Sequence, residues 1–284
     1  MSDIIKLRAK IQTECWMIIP AWFQQISEAL GQQSNVINSH NSALEPRSFS
    51  FDVPSEPAPE FQQSGSVAVI PIKGAIVRDV TDDQRGYGFT GYNDISNMLD
   101  LAVNDSAISA IVLDVDSPGG SAVGMIEAAK EISAANSIKP IIAHTSGLMA
   151  SAAYGLSAGA SMVYATESAM VGSVGTVLQF MDVSEAFERQ GLKIETIKSG
   201  EHKGVGAFGA RLTDEQRSAL QDHVDELGAS FRGFVTDHRP GVAQGTMDGR
   251  AFTGATGKAL GLVDSVASLT ESIRDAESIA HQRK

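Results

Sequence analysis

Cysteine is almost missing. Of 284 residues only Cys15 carries a thiol, so no disulfide can close within the chain, which suits a reducing compartment. Cys15 sits between Glu14 and Trp16 in an apolar stretch and reads as a structural thiol rather than a nucleophile. Positive charge is scarce: Lys and Arg number 22 against 34 Asp and Glu, a formal net charge of −12. A nucleic-acid partner needs a basic face to meet its phosphates, and an anionic membrane surface needs the same, so neither is expected. The acidic balance serves solubility. Long apolar runs are missing as well. The most apolar early stretch, residues 15–23, is interrupted by Pro20 and falls short of the roughly 20 residues that span a bilayer. Residues 1–10 mix charges without an apolar core behind a basic start, so no secretory signal is expected. These absences point to a protein that stays, off the membrane, in the cytoplasm where it is made. No cofactor and no metal are called for.

What is present is an ordinary globular composition, 43% hydrophobic and 20% charged. Residues 1–31 read as a helical lead segment, with Trp22, Ile26 and Leu30 at helical spacing and Gly31 as a stop. Residues 32–65, rich in Ser, Asn, Gln and Pro, read as a linker arm. A compact domain is expected over 66–268, followed by a C-terminal helix or tail over 269–284. Within it the runs 67–72, 110–115, 140–143, 162–165 and 192–197 read as strands. Helices are expected over 92–103, where Ile95, Met98, Leu99 and Leu101 carry the pattern, over 122–135 and 150–160, and from Thr213 to about Val235. Thr213 is the N-cap of the last, with Glu215 and Gln216 near the capping-box position. Strands alternating with helices give an α/β fold with a mainly parallel central sheet.

Four segments carry chemistry. Asp116-Ser-Pro-Gly-Gly120 follows a strand, and its adjacent glycines can present successive N–H groups to an anion, or can simply serve a tight turn. Gly147-Leu-Met-Ala-Ser-Ala-Ala-Tyr154 places Ser151 at a helix start, beside the free N–H of Ala152. Alone, Ser151 is equally a plain N-cap. The motif is not Gly-x-Ser-x-Gly, so the pattern gives no support for a hydrolase nucleophile elbow. Lys198-Ser-Gly-Glu-His-Lys203 offers a base: a lysine serves if burial lowers its pKa from about 10.4 towards neutrality. Lys198, Lys203, His144 and His202 all compete for that role. In Val171-Gly-Ser-Val-Gly-Thr176, Ser173 could orient a lysine amine.

Together these segments resemble the signal-peptide-peptidase-like serine protease family, especially its phage-encoded members that mature capsids. Asp248-Gly-Arg-Ala-Phe-Thr-Gly254 and Gly261-Leu-Val-Asp264 add to the resemblance, which covers about residues 66 to 268. Each segment is loose alone; in this order they are specific. The resemblance implies a Clp/crotonase-like spiral of ββα units. It implies Ser151 as nucleophile, Lys203 as general base and Ser173 as the residue that orients the dyad. It also implies an oxyanion hole from Gly119 or Gly120 with Ala152. A substrate pocket lined by Met149, Ala150 and Met170 is expected. The glycine-rich stretch from Gly200 to Leu212 is expected to order on substrate binding or assembly. Partners would be protein or peptide substrates, such as phage scaffold, capsid or portal proteins, with copies of the chain forming a homo-oligomer in the host cytoplasm or procapsid. The membrane anchor of the membrane-bound members is not expected here. Three other readings stand beside this one: a cytoplasmic protease degrading peptides, a catalytically silent structural head component, and a crotonase-type acyl enzyme using Glu167 or Glu201.

Overall fold

The computed structural model describes residues 16–18, 60–179, 182–207, 210–243 and 245–283. The chain opens with strand β1 (Trp16–Ile18) and continues through β2 (Gln62–Ser64), β3 (Val67–Lys73), β4 (Ile76–Val77), helix α1 (Asp82–Gly86), β5 (Thr90–Gly91) and α2 (Tyr92–Asn104). Then come β6 (Ala110–Asp116), β7 (Gly119–Ser121), α3 (Met125–Ile138), β8 (Ile141–Thr145), β9 (Leu148–Ala150) and α4 (Ala152–Ala158). The remainder is β10 (Met162–Ala165), β11 (Met170–Gly172), α5 (Ser184–Arg189), α6 (Asp214–His238), β12 (Ala251–Thr253), α7 (Gly254–Ala259), β13 (Ser265–Val266) and α8 (Leu269–Gln282).

The largest sheet runs β13-β10-β8-β6-β3-β2 and is parallel except for β2. Its inner strands β3, β6, β8 and β10 are mostly apolar and buried because both faces are covered. Alternate residues divide cleanly. Ala68, Ile70, Ile72, Ile111 and Leu113 enter the main core, whereas Val67, Val69, Ala110, Val112 and Ile142 meet Ala276 and Ala280 of α8 on the other face. The segment expected to be a C-terminal helix or tail is helix α8, which packs on the sheet as part of the core, and each fully buried Ile, Leu or Val contributes about 1.5–3 kcal/mol.

Two smaller sheets stand beside the large one, ordered β1-β7-β4-β5 and β12-β11-β9. Each repeat sends one strand into the large sheet, the next into a small sheet, and returns by a helix: β3–β4…α2, β6–β7–α3, β8–β9–α4. This is the spiral of ββα units that the resemblance implied. In α2, Ile95, Met98, Leu99 and Ala102 are buried at i, i+3, i+4 and i+7, while Leu101 turns to solvent, 63% exposed. Every residue of α4 is buried. Apart from Tyr154 and Leu156 it is built of small side chains, and α3 and α6 close on it at Gly155, where a Cβ would stand 2.7 Å from Met125 Sδ and 2.9 Å from Phe231 Cε2.

Three expectations meet a different outcome. Residues 192–197 form no strand; Leu192, Ile194 and Ile197 are exposed and no neighbouring strand pairs with them. An alternating pattern alone cannot satisfy the backbone groups that a ladder satisfies. Trp16–Ile18, inside the expected lead helix, is extended; its Trp and Ile suit a strand, and β7 offers an edge. The rest of 1–31 and most of the 32–65 arm lie outside the described residues, as does Cys15, and β2 begins before the expected domain start.

Candidate active site

The turn after β6 is locked to β9. The Ser117 N–H donates to the Leu148 carbonyl at 2.7 Å, the Ala150 N–H to the Ser117 carbonyl at 3.1 Å, and the Leu148 N–H to Asp116 Oδ1 at 3.1 Å. The Asp116–Gly120 and Gly147–Tyr154 segments, separated in sequence by residues 121–146, are therefore one structural unit. β9 runs parallel to β11 with Ala150 beside Gly172, and β11 is backed by β12 from the Asp248–Gly254 segment.

Ser151 is the first residue beyond that paired register. Its N–H donates to the Gly172 carbonyl at 2.7 Å, and its own carbonyl accepts from the Gly155 N–H at 2.9 Å. These two bonds hold it at φ 54° and ψ −121°, a sparsely populated region for a residue with a Cβ. Such strain costs of order 1–3 kcal/mol and collects at functional sites. Ser151 occupies the N-cap position of α4 but makes no capping hydrogen bond with its side chain. The plain N-cap reading therefore fails. Despite the absence of Gly-x-Ser-x-Gly, this is a sharp strand-to-helix turn of the kind on which a nucleophile can sit, and Ser151 is buried there, 1% exposed. Ser151 Oγ meets the Gly175 carbonyl at 3.5 Å, a weak contact that leaves the hydroxyl uncommitted.

Gly119 adjoins Ser151. At φ 105°, a Cβ there would stand 2.9 Å from Ser151 Cβ and 3.0 Å from the Ala150 carbonyl oxygen. Only glycine fits this approach. Its N–H rests on Ser117 Oγ at 3.2 Å. Gly120 follows it in β7, against Ile76 of β4. The Ala152 N–H, first in α4, has no carbonyl four residues back in the helix to accept it. Met149 and Ala150 are fully buried, and Met170 at the start of β11 is 37% exposed. Ser173 repeats the Ser151 turn one residue beyond Gly172, at φ 52°, with its N–H on the Arg250 carbonyl at 2.7 Å.

The structure thus brings Gly119, Ala150, Ala152 and, through the β9–β11 pairing, Gly172 and Ser173 around Ser151, with Gly120 following Gly119 and Met149 preceding Ala150, whereas Met170 lies at the far end of β11 beside Leu148. It does not bring a base to them. Lys203 is exposed and lines a separate cleft of about 320 Å³ with Lys198, Thr196 and Leu212. Lys198 Nζ donates to the Glu201 carbonyl at 2.6 Å. His202 is exposed. His144 is fully buried in β8 with Nε2 3.2 Å from the Ala267 carbonyl, and burial pushes its pKa down. Glu167 and Glu201 are exposed. Among the described residues no cluster of His, Cys, Asp and Glu could hold a metal, and no helix is long and apolar enough to cross a membrane. Sequence reasoning missed Ser117 and Gly175, whose roles come from folding, and the strand Trp16–Ile18, whose only signal was a short apolar run.

The chain is similar to known proteins. The chain is 32% identical over 224 residues to capsid assembly protease C of Escherichia phage lambda, covering 77% of this chain and 51% of that one. It is 29% identical over 224 residues to the head-tail preconnector protein GP5 of Enterobacteria phage P21, covering 76% and 44%. Protease 4 of Haemophilus influenzae is 26% identical over 223 residues, with 77% and 35% covered. The chain therefore spans about a third to a half of the length of these relatives. Among solved structures, ClpP1 from Listeria monocytogenes aligns with a TM-score of 0.44 at 12% identity, covering 72% of this chain and 94% of that one. An enoyl-CoA hydratase/isomerase from Marinobacter aquaeolei aligns with a TM-score of 0.43 at 16% identity, covering 78% and 75%. Residues 133–283, which carry the strained serine, its paired strand and the backing β12, match peptidase family S49, and the chain belongs to that family.

Proposed function

We propose that the chain is a serine endopeptidase in which Ser151 is the nucleophile and Lys203 the general base, acting on phage head or scaffold proteins during capsid maturation. The observation that carries the reading is the backbone of Ser151, held at φ 54° beside Gly119 and the unpaired first N–H of α4. Fold stability gains nothing from this strain, whereas an attacking hydroxyl, here buried at 1% exposure, gains a fixed direction and a nearby pair of N–H donors. Similarity to a capsid assembly protease and a head-tail preconnector protein supports the substrate class.

In the reaction, Lys203 in its neutral form takes the Ser151 proton as Oγ attacks a peptide carbonyl. Gly119 or Gly120, with Ala152, donates N–H groups to the oxyanion. The amine leaves with a proton from Lys203, and water activated by the same lysine hydrolyses the acyl-enzyme. Ser173, one strand away from the nucleophile, orients the amine. Lys203 reaches Ser151 when copies of the chain assemble. The exposed side chains of Leu192, Ile194 and Ile197, just before it, are the kind of surface that a neighbouring copy covers.

The test follows degradation of an unfolded protein from pH 6 to 9.5 by wild type, Ser151→Ala and Lys203→Ala. Only wild type should cut, faster at alkaline pH, with each variant slower by about three orders of magnitude or more. A flat profile from pH 5 to 9 excludes a lysine base. Cutting by Lys203→Ala but not by a Lys198 or His202 variant reassigns the base.

A further inference from the structure

Strand β1 lies against the Gly119–Gly120 turn that adjoins Ser151. On one side it pairs antiparallel with β7, with Trp16 opposite Ser121, Met17 opposite Gly120 and Ile18 opposite Gly119. On the other side the Trp16 N–H donates to the Val177 carbonyl at 2.9 Å, and the Val177 N–H returns to the Trp16 carbonyl at 2.9 Å. Val177 lies two residues beyond Gly175, whose carbonyl faces Ser151 Oγ. The strand therefore pairs along one edge with the Gly119–Ser121 segment and is bonded on the other at Trp16, to the segment after β11.

Its register is that of a ligand. The Met17 carbonyl oxygen is 2.0 Å from the point where a Cβ on Gly119 would stand, and Ser151 Cβ is 2.9 Å from the same point. A peptide carbonyl of the chain's own N-terminal segment is thus set beside the nucleophile. The Met17 side chain is 1% exposed and joins the core cluster that contains Met149 and Val174. An extended peptide that adds to a sheet edge gains affinity from backbone bonds and selectivity from the side chain it buries.

We propose that β1 is an intramolecular occupant of the substrate groove, with Met17 in the position of the residue whose carbonyl is attacked. Its departure admits an extended peptide bearing a large apolar residue at that position. The proposal rests on Ser151 being the nucleophile. The strand survives uncut because no base touches Ser151 Oγ among the described residues. A tethered strand competes at an effective concentration of about 1 mM, so a peptide with an intrinsic Kd of about 0.1 mM binds roughly tenfold more weakly than it would to an open groove.

The test uses the full chain carrying Ser151→Ala, which removes turnover, and a fluorescein-labelled peptide of residues 13–21 with serine in place of Cys15. Met17→Asp forces a carboxylate into an apolar slot, and Trp16→Pro deletes the N–H given to Val177. Each change, made in the chain and not in the peptide, should tighten peptide binding at least tenfold by fluorescence anisotropy. The same peptide carrying Met17→Asp should bind neither form. Unchanged or weaker binding in both folded variants overturns the proposal and makes β1 a structural strand. Trp16→Pro keeps the test open where Met17→Asp fails to fold. Because binding is read without turnover, tighter binding with no cutting by any form sustains the occupied groove while refuting the protease reading. Cutting with β1-independent affinity does the reverse.

Discussion

Replacing Asp264 by asparagine should cost more stability than removing its partner, and removing the partner afterwards should restore part of the loss. Arg239 ends α6, and its Nη2 lies 2.7 Å from Asp264 Oδ1. The two side chains differ in exposure: Arg239 is 8% exposed and Asp264 27%. Asp264 also accepts the Val163 N–H at 2.7 Å, while Arg239 Nε finds no acceptor among the described residues. Asp264→Asn keeps an oxygen for Val163 but leaves a buried guanidinium without its counter-charge, costing about 3 kcal/mol, the lower end for a broken buried pair. Arg239→Met leaves a carboxylate that keeps one N–H and reaches water, costing about 1 kcal/mol. The double variant has no stranded charge and should also lose only about 1 kcal/mol, so adding Arg239→Met to Asp264→Asn returns about 2 kcal/mol. For a domain of this size that is roughly 4–8 °C in unfolding midpoint. Thermal and urea unfolding of the four proteins give the cycle directly. A double variant as unstable as the sum of the singles would refute the reasoning, since it would mean that the charge on Arg239 is solvated after the loss of Asp264.

Two further outcomes are expected. Gly119→Ala combines a positive φ with a Cβ 2.9 Å from Ser151 Cβ, and should lower kcat about 100-fold or more while leaving a folded chain by circular dichroism; full activity would exclude this turn from the oxyanion hole. His144, held neutral by burial, binds a proton less readily folded than unfolded, so its contribution is complete above pH 6.5 and is lost as pH falls below that value. The drop in unfolding midpoint from pH 7.5 to 5 should therefore be smaller in His144→Gln than in wild type, and an equal drop removes His144 from the acid response.

The fold was legible wherever burial sets the pattern. Runs such as 110–115 are apolar at every position but Asp114 because α8 covers one sheet face and the main core the other, and helices such as α2 and α6 carry their spacing and caps in local residues. Legibility ended where partners are remote. The pattern at 192–197 looks like a strand but has no neighbour to bond, and Trp16–Ile18 is a strand only because β7 and Val177 flank it. At the site, residue type and order pointed to Ser151 and Gly119, yet the strain that distinguishes Ser151 from an ordinary N-cap arises from the Gly172 carbonyl, 21 positions further on. Lys203 was singled out by alignment of motifs rather than by its surroundings, and its exposed position shows why no local signal could have chosen it over Lys198.

The pairing of β9 with β11 governs where such a chain can change length. Ala150 lies beside Gly172, and both serines leave the sheet one step later. A slip of one residue between parallel strands turns every following side chain to the opposite face. The intervening α4 is buried throughout and cannot absorb a deletion, whereas residues 190–206 lie on the surface and can. Insertions and deletions among chains of this architecture should gather in the segment after Gln190 and spare α4. The distance along the sequence from Ser151 to Lys203 is then free to drift, while the register of Ala150 beside Gly172 is not.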